Sequence, residues 1–134
     1  MTQLRLRVRY AETDQMGVVY HANYLVWMEM GRVELCRSFG VRYRDMEQEG
    51  VLLTVVEARC RYHSPARYDD EVIVATTLLR STSRLIEFGY EMQSDDSSRK
   101  LATGSTTHVF CGNDFRPCRL PEKYWKAFGI GAAC

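Results

Sequence analysis

Asp14, Gly17 and His21 fall within eight consecutive residues, Asp14-Gln15-Met16-Gly17-Val18-Val19-Tyr20-His21. The carboxylate at the start of this stretch can attack an electrophile itself or activate a water that does so. Asn23, just beyond the stretch, can serve as the N-cap of a helix. A helix start offers unpaired backbone N–H groups and partial positive charge to an oxygen that turns anionic during reaction. Gly17 lets the intervening backbone turn sharply and lets a substrate come close to it. The same spacing also fits Asp14 as a turn or capping residue, and His21 as a helix-start residue packed against Tyr20. Both readings stay open at this level.

Other chemistries score poorly. His21, His63 and His108 lie more than forty residues apart and form no H-x-x-x-H or Cys/His pair, so a metal site is not expected. No G-x-S-x-G elbow, P-loop or G-x-G-x-x-G occurs, against a serine hydrolase, an NTPase or a dinucleotide enzyme. Cys36, Cys60, Cys111, Cys118 and Cys134 are odd in number without C-x-x-C spacing, which fits a reducing cytosol better than a disulfide framework. Eighteen Lys+Arg against seventeen Asp+Glu leave a net charge of +1, too little to draw the chain onto nucleic acid or an anionic membrane. Arginine outnumbers lysine, fifteen to three, and its planar fork suits local phosphate contacts and subunit interfaces. The charged amino terminus is unlike a signal peptide, and no apolar run approaches a membrane span.

These residues must be positioned by a chain of 134 residues, enough for one domain with its own core. Leu4, Leu6, Val8 and Tyr10 alternate with Arg5, Arg7 and Arg9, which predicts a first strand with one buried face. A helix follows from Asn23 toward Phe39, stopped by Gly40, with Leu25, Met28, Leu35, Cys36 and Phe39 at helical spacing. Gly31 in its middle costs about 1 kcal/mol against Ala and points to another backbone close by. A second helical piece covers Val41 to Glu49. Four strands come next, Val51–Tyr62, Glu71–Leu79, Leu85–Gln93 and Leu101–Phe110, separated by turns such as His63-Ser64-Pro65 and Ser94-Asp95-Asp96-Ser97-Ser98. Without intervening helices they pair antiparallel. Pro121 at N1 opens a short last helix through Phe128, closed by Gly129. The order is α+β, one curved sheet wrapped around one long helix.

The stretch from Tyr10 to Tyr24, with Arg67-Tyr68-Asp69-Asp70-Glu71 and Arg116-Pro117 following in order, resembles the 4-hydroxybenzoyl-CoA thioesterase-like hotdog enzymes, the branch of YbgC-type acyl-CoA thioesterases, over about residues 4 to 125. The resemblance implies a hotdog fold and hydrolysis of an acyl-CoA thioester without a cofactor. It implies Asp14 as the catalytic carboxylate, either nucleophile or general base, and the backbone N–H of His21 as the group that polarises the thioester. Arg84 and Arg116 resemble positions that contact coenzyme A phosphates. Tyr24 and Trp27 could line an acyl pocket, although aromatics at helical spacing also serve as core. Glu12 stands where related sequences often carry Asp, and is read as structural. The carrier is coenzyme A or an acyl carrier protein, and a homodimer or homotetramer with shared sites is expected in the cytoplasm.

Two other functions compete. A hotdog hydratase or dehydratase would want a His with an acid partner, and Glu29 lies eight residues beyond His21, roughly 12 Å along one helix. A non-catalytic acyl-thioester binding module would use Asp14 only to hold a turn.

Overall fold

Alternation at the amino terminus builds strand β1 (Thr2–Arg7), whose Leu4 and Leu6 pack against the core while Arg5 and Arg7 stay in solvent. The structure, a computed structural model, describes residues 1–96 and 99–131. Ser97, Ser98 and Cys134, named in the turn and cysteine readings above, lie outside the described residues. The remaining elements are α1 (Asn23–Ser38), α2 (Tyr43–Gln48), β2 (Leu52–Tyr62), β3 (Glu71–Ser81), β4 (Leu85–Ser94) and β5 (Lys100–Cys111). The five strands form one antiparallel sheet in the order β1-β3-β4-β5-β2. The α+β arrangement is the expected one. Bulges at Val55/Glu57 in β2 and Leu78/Arg80 in β3 add local bend and twist to the sheet.

The concave face closes on α1. Ile86, Phe88, Tyr90 and Met92 of β4 are all buried, as the alternation predicts, beneath Trp27, Met28, Leu35 and Cys36 of the helix. Gly31 makes this approach possible: a Cβ there would lie 2.3 Å from Thr76 Oγ1 and 3.1 Å from Val74 Cγ1 on β3. Close approach is therefore real, but it is to side chains of a strand rather than to its backbone.

Several local readings need correction. Strand β1 stops at Arg7, and Tyr10 begins a 3₁₀ turn, Tyr10–Glu12, with its ring exposed and stacked on Tyr68. Asn23 is the first helical residue rather than the cap; Ala22 holds the cap position and offers no side-chain acceptor. Leu25 points outward with 41% exposure, because the helix turns its Tyr24, Trp27 and Met28 side to the sheet. The last helix shrinks to a 3₁₀ turn, Glu122–Tyr124, preceded by Pro121 as N-cap; the chain continues in hydrogen-bonded turns, Phe128 N–H to Trp125 O and Gly129 N–H to Lys126 O, and Gly129 at φ +69 closes them.

Glu12 joins three of these pieces. Its buried carboxylate accepts the Arg9 N–H at 2.8 Å and the Trp27 indole N–H at 2.9 Å, and its carbonyl accepts Tyr20 N–H and Asn23 Nδ2, both at 2.8 Å. The structural reading of Glu12 matches this geometry. Burial pushes the carboxyl up, but the donors of Arg9 and Trp27 outweigh it, so Glu12 titrates below the ordinary glutamate range.

Two predictions follow from this packing. Gly31→Ala should lower unfolding free energy by about 1–3 kcal/mol through overpacking, in spite of the better helix propensity. Adding Thr76→Ala should recover part of that loss in denaturant titrations, because the hydroxyl is the nearest obstacle. Glu12→Gln should cost about 1–3 kcal/mol at neutral pH. A depressed carboxyl stabilises fully above the unfolded value of about 4.3 and loses that effect as pH falls through the lower folded value. The gap between wild type and Glu12→Gln should thus narrow in thermal scans below about pH 4; a gap constant down to pH 3 would contradict the assignment.

Candidate active site

The loop that carries Asp14 is held at both ends. Thr13 and Val19 form an isolated antiparallel bridge, Asp14 N–H donates to Val18 O at 2.9 Å, and Gly17 N–H returns to Asp14 O at 3.0 Å. Val19 N–H donates to Ala66 O at 2.8 Å, which pins the loop to the segment after β2. Gly17 sits at φ +81, a left-handed conformation costly for other residues. A Cβ there would meet nothing within 4 Å, so backbone conformation rather than crowding calls for glycine.

Asp14 does part of what a turn aspartate does, since its Oδ1 accepts Met16 N–H at 2.9 Å. Among the described residues its second oxygen, Oδ2, has no hydrogen-bond or ion-pair partner. Asp14 borders a cleft of about 300 Å³ whose lining includes Val18, His21, Tyr24, Tyr62 and His63. The N-terminus of α1 opens on the same cleft. Asn23 Nδ2 donates to Glu12 O, and the backbone N–H groups of His21 and Ala22, just ahead of the helix, have no acceptor among the described residues. Asp14, with its carboxylate, and His21, with a free backbone N–H, thus border one small cavity, the two components that attack on a carbonyl requires.

Aromatic rings frame this cavity. Tyr62 donates its hydroxyl to His21 O at 3.0 Å and meets Tyr24 edge to face, with centroids 5.2 Å apart. Tyr24 is buried and accepts Ala66 N–H at 3.4 Å, while His21 tilts against Tyr20 at 4.6 Å between centroids. Trp27 is fully buried and tied to Glu12, which makes it core rather than cavity wall. Tyr62 and His63 were missed as site residues; the sequence marks them only as the end of a strand and the beginning of a turn, and their place in the cleft depends on contacts with a loop more than forty positions earlier.

Arg84 and Arg116 are not brought to Asp14 within one chain. Phe110 N–H donates to Arg84 O and Cys118 N–H to Phe110 O, placing both arginine segments beside the far end of β5. Tyr62, at the cleft, pairs with Ala102 instead. Eight residues of extended strand separate Ala102 from Phe110, about 27 Å. Arg116 is exposed, with Nε 3.8 Å from Asp114 Oδ2. A larger cleft of about 810 Å³ lies between Gly40, α2 and Ala127, but its Glu49 carboxylate is engaged by Lys123 and Tyr124. Asp45 lines it as well.

The comparison with known proteins agrees with this geometry. Residues 8–128 match the model of the thioesterase-like superfamily. YneP of Bacillus subtilis (strain 168), provisionally named an acyl-CoA thioesterase, is 36% identical over 124 residues, covering 92% of this chain and 90% of YneP. YbgC of Escherichia coli O157:H7, named an acyl-CoA thioester hydrolase, is 38% identical over 80 residues, 58% of this chain and 60% of its own length. The crystal structure of DHNA-CoA thioesterase from Staphylococcus aureus superposes with a TM-score of 0.91 at 30% identity, over 96% of this chain and 88% of that one. A curved antiparallel sheet around one helix, matched along nearly its whole length, makes this chain a member of the thioesterase-like superfamily with the hotdog fold.

Proposed function

We propose that the chain hydrolyses acyl-CoA thioesters, with Asp14 as nucleophile or general base and the backbone N–H of His21 as the oxyanion donor. The observation that carries this reading is that Asp14 and His21 line one cleft, with Asp14 Oδ2 and the His21 N–H both uncommitted among the described residues. As a base, Asp14 takes a proton from water while the water oxygen bonds to the carbonyl carbon; the C–S bond then breaks and coenzyme A leaves as its thiol or thiolate. As a nucleophile it forms a mixed anhydride that water opens. The names of YneP, YbgC and the Staphylococcus aureus enzyme support the substrate class, and an acyl carrier protein is the alternative carrier. A hydratase is less well supported, because no histidine is hydrogen-bonded to a carboxylate among the described residues; His63 meets Thr103 and His108 meets Thr106.

The working unit we infer is a homodimer, or a tetramer made of two. Strand β2 is an open sheet edge with Val55 and Val56 46% and 56% exposed, a template for pairing. Two β2 strands joined antiparallel about a two-fold would bring the Leu52 end of one copy, with its Arg84 and Arg116, alongside the Tyr62 end of the other. Such pairing would supply the phosphate contacts that a single chain holds about 27 Å away. The proposed setting is the cytoplasm, in keeping with four free cysteines among the described residues and no described helix long and apolar enough to cross a membrane.

Free-thiol release from a panel of short, long and aromatic acyl-CoA substrates tests the reading. Asp14→Asn should reduce kcat by about 10² to 10⁴ without changing Tm, and His21→Ala, which keeps the backbone donor, should lose far less. A folded Asp14→Asn enzyme with wild-type turnover would remove Asp14 from the chemistry. Arg84→Ala and Arg116→Ala should each raise KM for acyl-CoA more than they lower kcat; an unchanged KM would remove the phosphate role.

A further inference from the structure

We propose that Tyr62 is a positioning residue for the oxyanion donor: its hydroxyl, by holding the His21 carbonyl, aims the His21 N–H at the substrate. The inference rests on the assignment of that N–H as the oxyanion donor. Tyr62 acts through the His21 backbone rather than on the reacting atoms.

Two planar peptide units meet at the His21 Cα. The first carries Tyr20 O and the His21 N–H, and the second carries His21 O and the Ala22 N–H. Because each unit is rigid, a bond to its carbonyl also constrains the direction of its N–H. Tyr20 O accepts Asn23 N–H at 2.9 Å, but a single bond leaves a peptide unit free to rock about its Cα–Cα line. The neighbouring unit must be fixed as well. Its own main-chain bond is long, Tyr24 N–H to His21 O at 3.3 Å, and the Tyr62 hydroxyl adds a bond of 3.0 Å to the same oxygen. His21 lies ahead of Asn23, the first helical residue, so the regular ladder of α1 does not set its conformation. Tyr62 supplies that constraint from β2.

The mount is itself held. Tyr62 pairs with Ala102 of β5, and the next two residues, His63 and Ser64, both donate their N–H to Leu101 O, at 2.8 and 3.2 Å. The ring stands edge to face on Tyr24 at 5.2 Å and on His21 at 6.3 Å between centroids. Partial burial of the hydroxyl, with Cys60 beside it, pushes Tyr62 up to about 12, so it keeps its proton near neutrality. The phenol has one proton to give. A carbonyl oxygen accepts better than sulfur, so that proton goes to His21 O and the phenol oxygen is left to accept from the Cys60 thiol.

Tyr62→Phe keeps the ring and removes only the hydroxyl. Outright loss of an oxyanion donor costs about 10² to 10³, and a donor kept but badly aimed should lose part of that, so kcat should fall about tenfold with KM and Tm nearly unchanged. A second readout is the thioester carbonyl itself. Asp14→Asn slows hydrolysis enough to hold, for difference infrared spectroscopy, the acyl-CoA that wild type turns over fastest, isotope-labelled at its thioester carbonyl. The bound carbonyl should absorb at lower frequency than the free one, and adding Tyr62→Phe should return it part of the way. A shift identical with and without Tyr62→Phe overturns the role of Tyr62 and leaves the oxyanion donor standing. No shift in Asp14→Asn alone, or no wild-type turnover of any acyl-CoA, overturns both. A Tyr62→Phe chain that fails to fold, or loses Tm and kcat together while KM rises, makes the residue structural and overturns the assignment as well.

Discussion

The side chain and carbonyl of Glu12 are the junction on which the candidate site depends. Four hydrogen bonds meet there, from Arg9, Trp27, Tyr20 and Asn23, and they tie the end of β1, the Asp14 loop and the first turn of α1 into one unit. A buried carboxylate is tolerated only where donors replace its water, and here one donor lies three residues before Glu12 and the other in α1, fifteen residues after it. The loop between Thr13 and Val19 is therefore anchored before any substrate arrives. Asn23 Nδ2 holds the start of α1 to Glu12, beside the His21 N–H, which has no acceptor among the described residues.

The two edges of the sheet are managed differently. Along β1, Arg5 and Arg7 are paired with Glu71, Asp69 and Asp95, a charged edge that discourages further strand addition. Along β2, the middle of the strand presents Val55 and Val56 to solvent. The long antiparallel ladder then separates the Asp14 cleft from Arg84 and Arg116 by the length of a strand, so an isolated chain has the Asp14 carboxylate at one end and these two arginines at the other. Pairing about a two-fold reverses direction and is the simplest way to join them.

Much of the fold was legible because periodicity is a local property. Alternation in Ile86, Phe88, Tyr90 and Met92 marked the buried face of β4, and the boundaries of β2 to β5 agree within a residue or two. The errors fall where a distant contact overrides a local preference. Asn23 reads as a cap but is the first helical residue with its side chain on Glu12, Leu25 reads as core until the helix turns its neighbours to the sheet, and Pro121 reads as the start of a helix that is a 3₁₀ turn followed by further turns.

By itself the sequence determined the chemistry-bearing loop, the α+β order and the family, since residue types at fixed short spacings encode carboxylate, glycine turn and helix start directly. Tertiary structure alone decided that Tyr62 and His63 border the cleft, that Trp27 belongs to the core, and that Arg84 and Arg116 stand at the opposite end. These facts depend on strand register and on which helix face meets the sheet. Both are set by the packing of the whole chain rather than by any short run of residues.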